Sequence, residues 1–153
     1  MNKNNSNTLV EPETSICIVR LTACTKEQRA GIVALYDGAG WWKDGYDASG
    51  ISAIIKGSFC FFIAQDLHGC IVGMGRAVSD GISRAYIQDL AVLPSARGMG
   101  IGSKLIFHLI TYLKGANIPL IMLMAQPGTV KFYLSCGWQV VPQKMCMLKD
   151  TFQ

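Results

Sequence analysis

The chain has 153 residues, half of them hydrophobic and only 16% charged, which describes one compact domain with a real core and excludes an intrinsically disordered protein. Its formal net charge is +4, but the Lys and Arg residues are scattered without a basic run, which excludes a nucleic-acid-binding stripe. The positive surplus reads either as ordinary surface variation or as attraction to an anionic ligand, and no apolar run reaches transmembrane length, so no membrane partner is expected.

Met1 to Thr14 is polar and Asn-rich and lacks the apolar stretch of a signal peptide. It reads as a disordered tail on a domain spanning residues 15–153, and the protein is expected to be cytoplasmic. Ser15 to Leu21 alternates and is β-branched, which predicts a strand. Thr25 is a helix cap, and Ile32, Val33, Leu35 and Tyr36 supply the apolar stripe of the helix that follows. Gly38-Ala39-Gly40 ends it. Trp41-Trp42-Lys43-Asp44-Gly45-Tyr46 is an aromatic loop, and a short helix through Ile51, Ile54 and Ile55 stops at Gly57. Ser58 to Gln65 and Cys70 to Val78 read as a hairpin around the turn Asp66-Leu67-His68-Gly69. After Ser79-Asp80-Gly81, Arg84 to Leu93 reads as a long strand. A Gly-rich segment then opens a helix with Leu105, Ile106, Leu109, Ile110 and Leu113 on one face, ending at Gly115. Ile118 to Met124 is continuously apolar, as for a strand covered on both faces. Pro127 opens a helix ending at Cys136-Gly137, and Trp138 to Leu148 is expected to form a last strand. The order predicts a mixed α/β sheet. The high aliphatic content fits a homodimer contact or a ligand cleft equally well.

The six cysteines include no Cys-x-x-Cys pair, and neither His68 nor His108 stands at metal-ligand spacing, so no metal is expected. The strongest chemical signal is Arg97-Gly98-Met99-Gly100-Ile101-Gly102-Ser103, straight after a strand and straight before an amphipathic helix. Glycine lets a backbone approach a ligand closely. The amides of a first helical turn, at the positive end of its dipole, suit a pyrophosphate. The dinucleotide fingerprint fails, because Ser103 stands where its third glycine belongs. The mononucleotide loop fails because no Gly-Lys-Ser/Thr occurs.

Leu90-Ala91-Val92, then Pro94, then Arg97 to Gly102 resembles the acetyl-CoA motif of the GNAT superfamily of N-acetyltransferases, with the motif's Arg, Gly and Gly falling on Arg97, Gly100 and Gly102. Gly128 to Trp138, with Phe132-Tyr133 and Gly137-Trp138, resembles the family's second signature, Trp138 replacing the usual Phe. Gly73-Met74-Gly75-Arg76-Ala77 and the strand of Asp89 look most like plant and cyanobacterial serotonin-type members. The resemblance implies a mostly antiparallel, twisted central sheet flanked by helices. It implies that the strands at Leu90-Ala91-Val92 and at Ile118 to Met124 splay apart, that pantetheine enters the gap, and that backbone groups of Leu90 and Val92 pair with it and polarise the acetyl carbonyl. Tyr133 matches the family's general acid, against a packing tyrosine on an amphipathic helix. Asp89, the only carboxylate in its strand, serves either the acceptor amine or a structural pair with Arg76 or Arg84. Trp41, Trp42 and Tyr46 lie where the family builds its acceptor site, against a hydrophobic plug over the core. The implied reaction moves acetyl from acetyl-CoA to a small-molecule amine by direct attack, since Cys136 has no base neighbour that would make it a nucleophile. Acetylation of a protein lysine or N-terminus, and a CoA-binding sensor without turnover, are the alternatives.

Overall fold

The computed structural model describes residues 15–144, 146, 147 and 149. The expected tail, residues 1–14, lies outside them. Among the described residues, five strands form one sheet in the order β1-β2-β3-β4-β5. They are β1 (Cys17–Leu21), β2 (Cys60–Gln65), β3 (Ile71–Ser79), β4 (Arg84–Val92) and β5 (Leu120–Leu123). The first four are antiparallel neighbours, and β5 runs parallel to β4. Helices α1 (Lys26–Gly38) and α2 (Gly50–Gly57) precede β2, α3 (Ile101–Gly115) crosses from β4 to β5, and α4 (Val130–Ser135) follows β5. Thr25 and Gln28 form a reciprocal capping box that fixes the start of α1.

The pleat of β2 divides the core. Phe61 and Ile63 face Ile32, Leu35, Tyr36, Ile51 and Ile55 of α1 and α2, whereas Cys60, Phe62 and Ala64 face Leu105, Ile106, Leu109 and Leu113 of α3. Helices therefore cover both faces. Alpha3 packs unusually close to β3. A Cβ at Gly73 would stand 3.1 Å from Leu105 Cδ1, and one at Gly75 would stand 3.1 Å from Leu109 Cδ1 and 3.0 Å from Leu90 Cδ1. These two glycines set the helix-to-sheet distance.

The expected last strand is not formed by the described residues of 138–148. Pro142 is the reason. Lys144 N–H donates to the carbonyl of Val141 at 3.2 Å, closing a turn with Pro142 at its second position, where a fixed φ is favoured and no ladder donor is available. Val140 and Val141 are exposed. Beta5 is consequently the sheet edge among the described residues, and Leu120 and Met124 are exposed rather than covered on both faces. No helix among the described residues is long and apolar enough to cross a membrane.

Candidate active site

Beta4 and β5 pair only from Arg84–Leu120 to Ile87–Leu123. From Gln88 to Val92, β4 continues without β5 beside it, so its β5-facing backbone groups meet a gap at the carboxyl ends of two parallel strands, the usual place for a ligand crevice in such sheets. The same stretch carries a bulge. Met74 pairs with Ala91 and Arg76 with Gln88, so Gly75 alone opposes both Asp89 and Leu90. Asp89 takes a φ of 54°, the left-handed region, which Asp and Asn enter more readily than other side chains.

The bulge inverts the pleat. Ala85 and Ile87 face α3, as do Leu90 and Val92 beyond it, while Ala91 packs with the α1 side. Strict alternation from Ile87 would send Asp89 toward α3. Instead its Oδ2 accepts from Tyr36 Oη of α1 at 2.8 Å and from Arg76 Nε at 2.5 Å. Of the two roles expected for Asp89, the ion pair is present, and its partner is Arg76 rather than Arg84. Arg76 also donates to Gln88 Oε1 at 2.6 Å and to Ser58 Oγ at 3.4 Å. Burial, then the charge and hydrogen bond of Asp89, push the Tyr36 phenol far above its ordinary range, so Tyr36 stays a donor.

Two adjoining hollows share Trp41, Leu90, Gln126, Thr129 and Tyr133 and form one cleft with two lobes. The larger lobe, about 750 Å³, is walled by Leu90, Ala91, Val92 and the Gly-rich segment at Arg97, Gly98, Gly100, Ile101, Gly102 and Ser103. Gly98 and Gly100 have φ values of 79° and 73°, with nothing within 4 Å of an added Cβ. The turn therefore needs glycine for its backbone and keeps open space above it. Gly102 has a different reason: a Cβ there would stand 3.1 Å from Phe132 Cζ. The first hydrogen bond inside α3 runs from Lys104 N–H to the carbonyl of Gly100, 3.0 Å, leaving the preceding amides without intrahelical acceptors. Ile101 turns its side chain into the core, and Met99 is exposed and does not line the lobe. Arg97 Nε donates to the carbonyl of Val92 at 3.2 Å, so the basic side chain bridges the bulged strand and the glycine turn and occupies one acceptor expected to face pantetheine. The donor set suits a pyrophosphate: helix-terminal amides, a guanidinium and close backbone approach.

The smaller lobe, about 350 Å³, is lined by Tyr86, Ile87, Gln88, Asp89 and Met124 together with the shared residues. Tyr133 stands where the lobes meet. Burial first, then the proximity of Cys136 and Tyr86, raises its phenol above the ordinary value, so it is protonated at neutral pH. Its ring packs on Phe132 and Trp138, with centroids 5.0 and 6.2 Å away. Of the aromatic loop only Trp41 reaches the cleft. Trp42 packs instead with the Tyr36 cluster, and Tyr46 lies outside on Trp42, 5.6 Å between centroids, and is exposed. Trp41 thus both packs on the Tyr36 cluster and lines the cleft, whereas Trp42 packs on that cluster without lining it. Gln126 and Thr129 were not singled out by the sequence, although their place just after a parallel strand's carboxyl end marks them.

Among the described residues, no group of three His, Cys, Asp or Glu side chains could hold a metal. The Cys60 thiol is pushed up to about 11 by burial, and packs as an apolar group.

The family model "Acetyltransferase (GNAT) family" matches residues 35–138. The chain is 35% identical over 106 residues to an uncharacterized N-acetyltransferase ycf52 of Pyropia yezoensis, covering 68% of this chain and 60% of that protein. It is 35% identical over 79 residues to serotonin N-acetyltransferase 2, chloroplastic, of Oryza sativa subsp. japonica, covering 52% and 40%. The chain spans 40–60% of the length of these two relatives. A GNAT family acetyltransferase of Streptococcus pneumoniae superposes with a TM-score of 0.72 at 26% identity, over 91% of this chain and 100% of that one. The bulged gap, the glycine turn and the family match over residues 35–138 lead to one conclusion: the chain belongs to the GNAT acetyltransferase family.

Proposed function

We propose that the protein is an N-acetyltransferase that moves the acetyl group of acetyl-CoA to the primary amine of a small molecule by direct attack. One observation carries this reading: a phosphate-suited lobe and a second, polar and aromatic lobe meet at Leu90 and Tyr133. Acetyl-CoA supplies an acyl group already activated as a thioester. The amides at the start of α3 and Arg97 hold its pyrophosphate, and the β5-facing groups of β4 receive the pantetheine arm. Backbone N–H groups beside Leu90 polarise the acyl carbonyl. Trp41, Tyr86 and Met124 form an apolar wall for the acceptor, with Gln88, Gln126 and Thr129 as polar contacts. As the amine nitrogen bonds to the acyl carbon and the carbon–sulfur bond breaks, Tyr133 gives its proton to the leaving thiolate. The nitrogen's surplus proton leaves to water in the smaller lobe, and solvent returns a proton to the Tyr133 phenolate, which restores the acid for the next turnover. No cysteine is acylated.

Acetylation of a protein amine is the second reading. A histone acetyltransferase TAP1 of Glycine max is 32% identical over 120 residues, covering 72% of this chain and 51% of that protein. The 350 Å³ of the smaller lobe favours a small acceptor. The cytoplasmic expectation rests on the sequence alone, and the rice relative is named as chloroplastic. The test is CoA release from acetyl-CoA with a panel of small amines beside a panel of lysine and N-terminal peptides. Release with small amines supports the proposal. Release with peptides alone refutes the small-molecule assignment.

A further inference from the structure

We propose that Arg76 and Tyr36 are positioning residues that hold the Asp89 bulge in the shape needed for acyl transfer, and that Asp89 is their anchor rather than a proton acceptor. The proposal rests on the N-acetyltransferase reading for its consequence in turnover, but not for the clamp itself. The bulge places two consecutive side chains, Gln88 and Asp89, on the α1 face of the sheet. One guanidinium bridges both: Arg76 Nε to Asp89 Oδ2 at 2.5 Å, and Arg76 Nη2 to Gln88 Oε1 at 2.6 Å. Arg76 comes from β3 directly opposite Gln88 in register, so the clamp spans the two strands whose pairing the bulge interrupts. Tyr36 adds a second donor to the same Asp89 oxygen at 2.8 Å. Tyr36 belongs to α1, and its ring is buried in the cluster that α1 and α2 form with β2 and β3, which fixes the hydroxyl to the helix layer. A guanidinium fork is rigid and planar and sets angles as well as distances.

The clamp acts on backbone. Asp89 sits at a φ of 54°, a conformation that persists only where the surroundings determine it. Two bonds to its side chain and one to its neighbour's supply that determination. Gly75 on the opposing strand leaves no slack: a Cβ there would already touch Leu90 Cδ1 at 3.0 Å. The outcome is the direction of Leu90 to Val92, which line the larger lobe and border the gap. Displacing a reacting or polarising group by about 1 Å costs on the order of 10²-fold in rate. Asp89 Oδ2 already accepts two hydrogen bonds, one from a permanent cation, and that arrangement suits an anchor.

The test compares Asp89→Asn, Asp89→Ala, Arg76→Gln and Tyr36→Phe in the full chain. Two measurements are made: kcat and KM for acetyl-CoA, and amide hydrogen exchange across Gln88 to Ala91. Asparagine tolerates the left-handed region and its amide oxygen still accepts from both donors. Asp89→Asn is therefore expected to keep a tenth or more of the wild-type kcat, roughly, whereas Asp89→Ala and Arg76→Gln lose about 10²-fold with little change in KM. Tyr36→Phe is expected between these. Exchange across the bulge should rise at least about tenfold in Asp89→Ala and Arg76→Gln and stay near wild type in Asp89→Asn. An Asp89→Asn enzyme as impaired as Asp89→Ala would overturn the proposal, because charge and not anchoring would then matter. Wild-type exchange in folded Asp89→Ala and Arg76→Gln would also overturn it. The exchange measurement needs no turnover, so it decides the clamp even where the N-acetyltransferase reading fails.

Discussion

Gly100→Asn separates ligand binding from folding more cleanly than a change at Gly102 does. Gly100 has a φ of 73° and an added Cβ meets no atom within 4 Å. The cost to the fold is thus backbone strain alone. An ordinary residue pays about 1–2 kcal/mol in this region, and Asn sits at the low end because its side chain bonds locally. In a domain of this size about 1 kcal/mol lowers the melting temperature by roughly 2–4 °C. Ligand linkage is larger: acetyl-CoA at a hundredfold excess over Kd contributes ~2.7 kcal/mol, or roughly 5–10 °C. The new amide side chain enters the open space above the turn, where the proposed function puts the pyrophosphate. Differential scanning fluorimetry with and without acetyl-CoA should show the variant melting within a few degrees of wild type while the acetyl-CoA increment disappears. An undiminished increment would refute the assignment of this turn. Gly102 is a poorer probe, because its Cβ would collide with Phe132 at 3.1 Å and add an overpacking cost to any binding loss.

Tyr133→Phe is expected to lower kcat by ~10²-fold with acetyl-CoA affinity preserved, since the protonation of the thiolate is lost and the ring packing is kept; a wild-type rate in steady-state kinetics would remove Tyr133 from the mechanism. Gly75→Ala should destabilise the fold by about 1–3 kcal/mol in urea unfolding, because its Cβ meets Leu90 and Leu109 side chains at 3.0 and 3.1 Å, and a neutral effect would contradict the close packing of α3 on β3. Tyr36 has a folded pKa raised above its unfolded value of about 10. Its contribution is therefore complete below pH ~10 and is lost as pH rises beyond that. Melting curves between pH 9 and about 11.5 should fall less steeply for Tyr36→Phe than for wild type, and parallel curves would refute the Tyr36–Asp89 bond.

Periodicity and glycine placement made most of the fold legible. Thr25 opens α1 as its capping type predicts, and α3 follows the stripe from Leu105 to Leu113. The glycine turn was legible because few other uses place three alternating glycines between a strand and a helix. Its inner logic was not: Gly98 and Gly100 serve backbone conformation, while Gly102 makes room for Phe132, a contact between segments remote in sequence. Asp89 shows the limit of pattern reading most clearly. Alternation along Arg84 to Val92 gives no sign that one residue enters the left-handed region and that the pleat inverts after it. Tyr36 belongs to an apolar stripe by spacing, and only the fold reveals that its hydroxyl reaches Asp89. Trp42 and Tyr46 share the loop of Trp41, yet they do not line the cleft. The apolar run from Trp138 suggested a strand, but Pro142 carried the opposing signal in plain view.

The most direct test of the central claim follows CoA thiol release and acetylated amine together, by thiol titration and mass spectrometry, with the full chain, acetyl-CoA and a panel of primary amines. An N-acetyltransferase with Tyr133 as its acid gives amine-dependent release, the two products in equal amounts, and a fall in both in Tyr133→Phe. Acetyl-CoA that binds and raises the melting temperature, but yields no CoA thiol with any amine or peptide, would contradict this and leave a CoA-binding sensor.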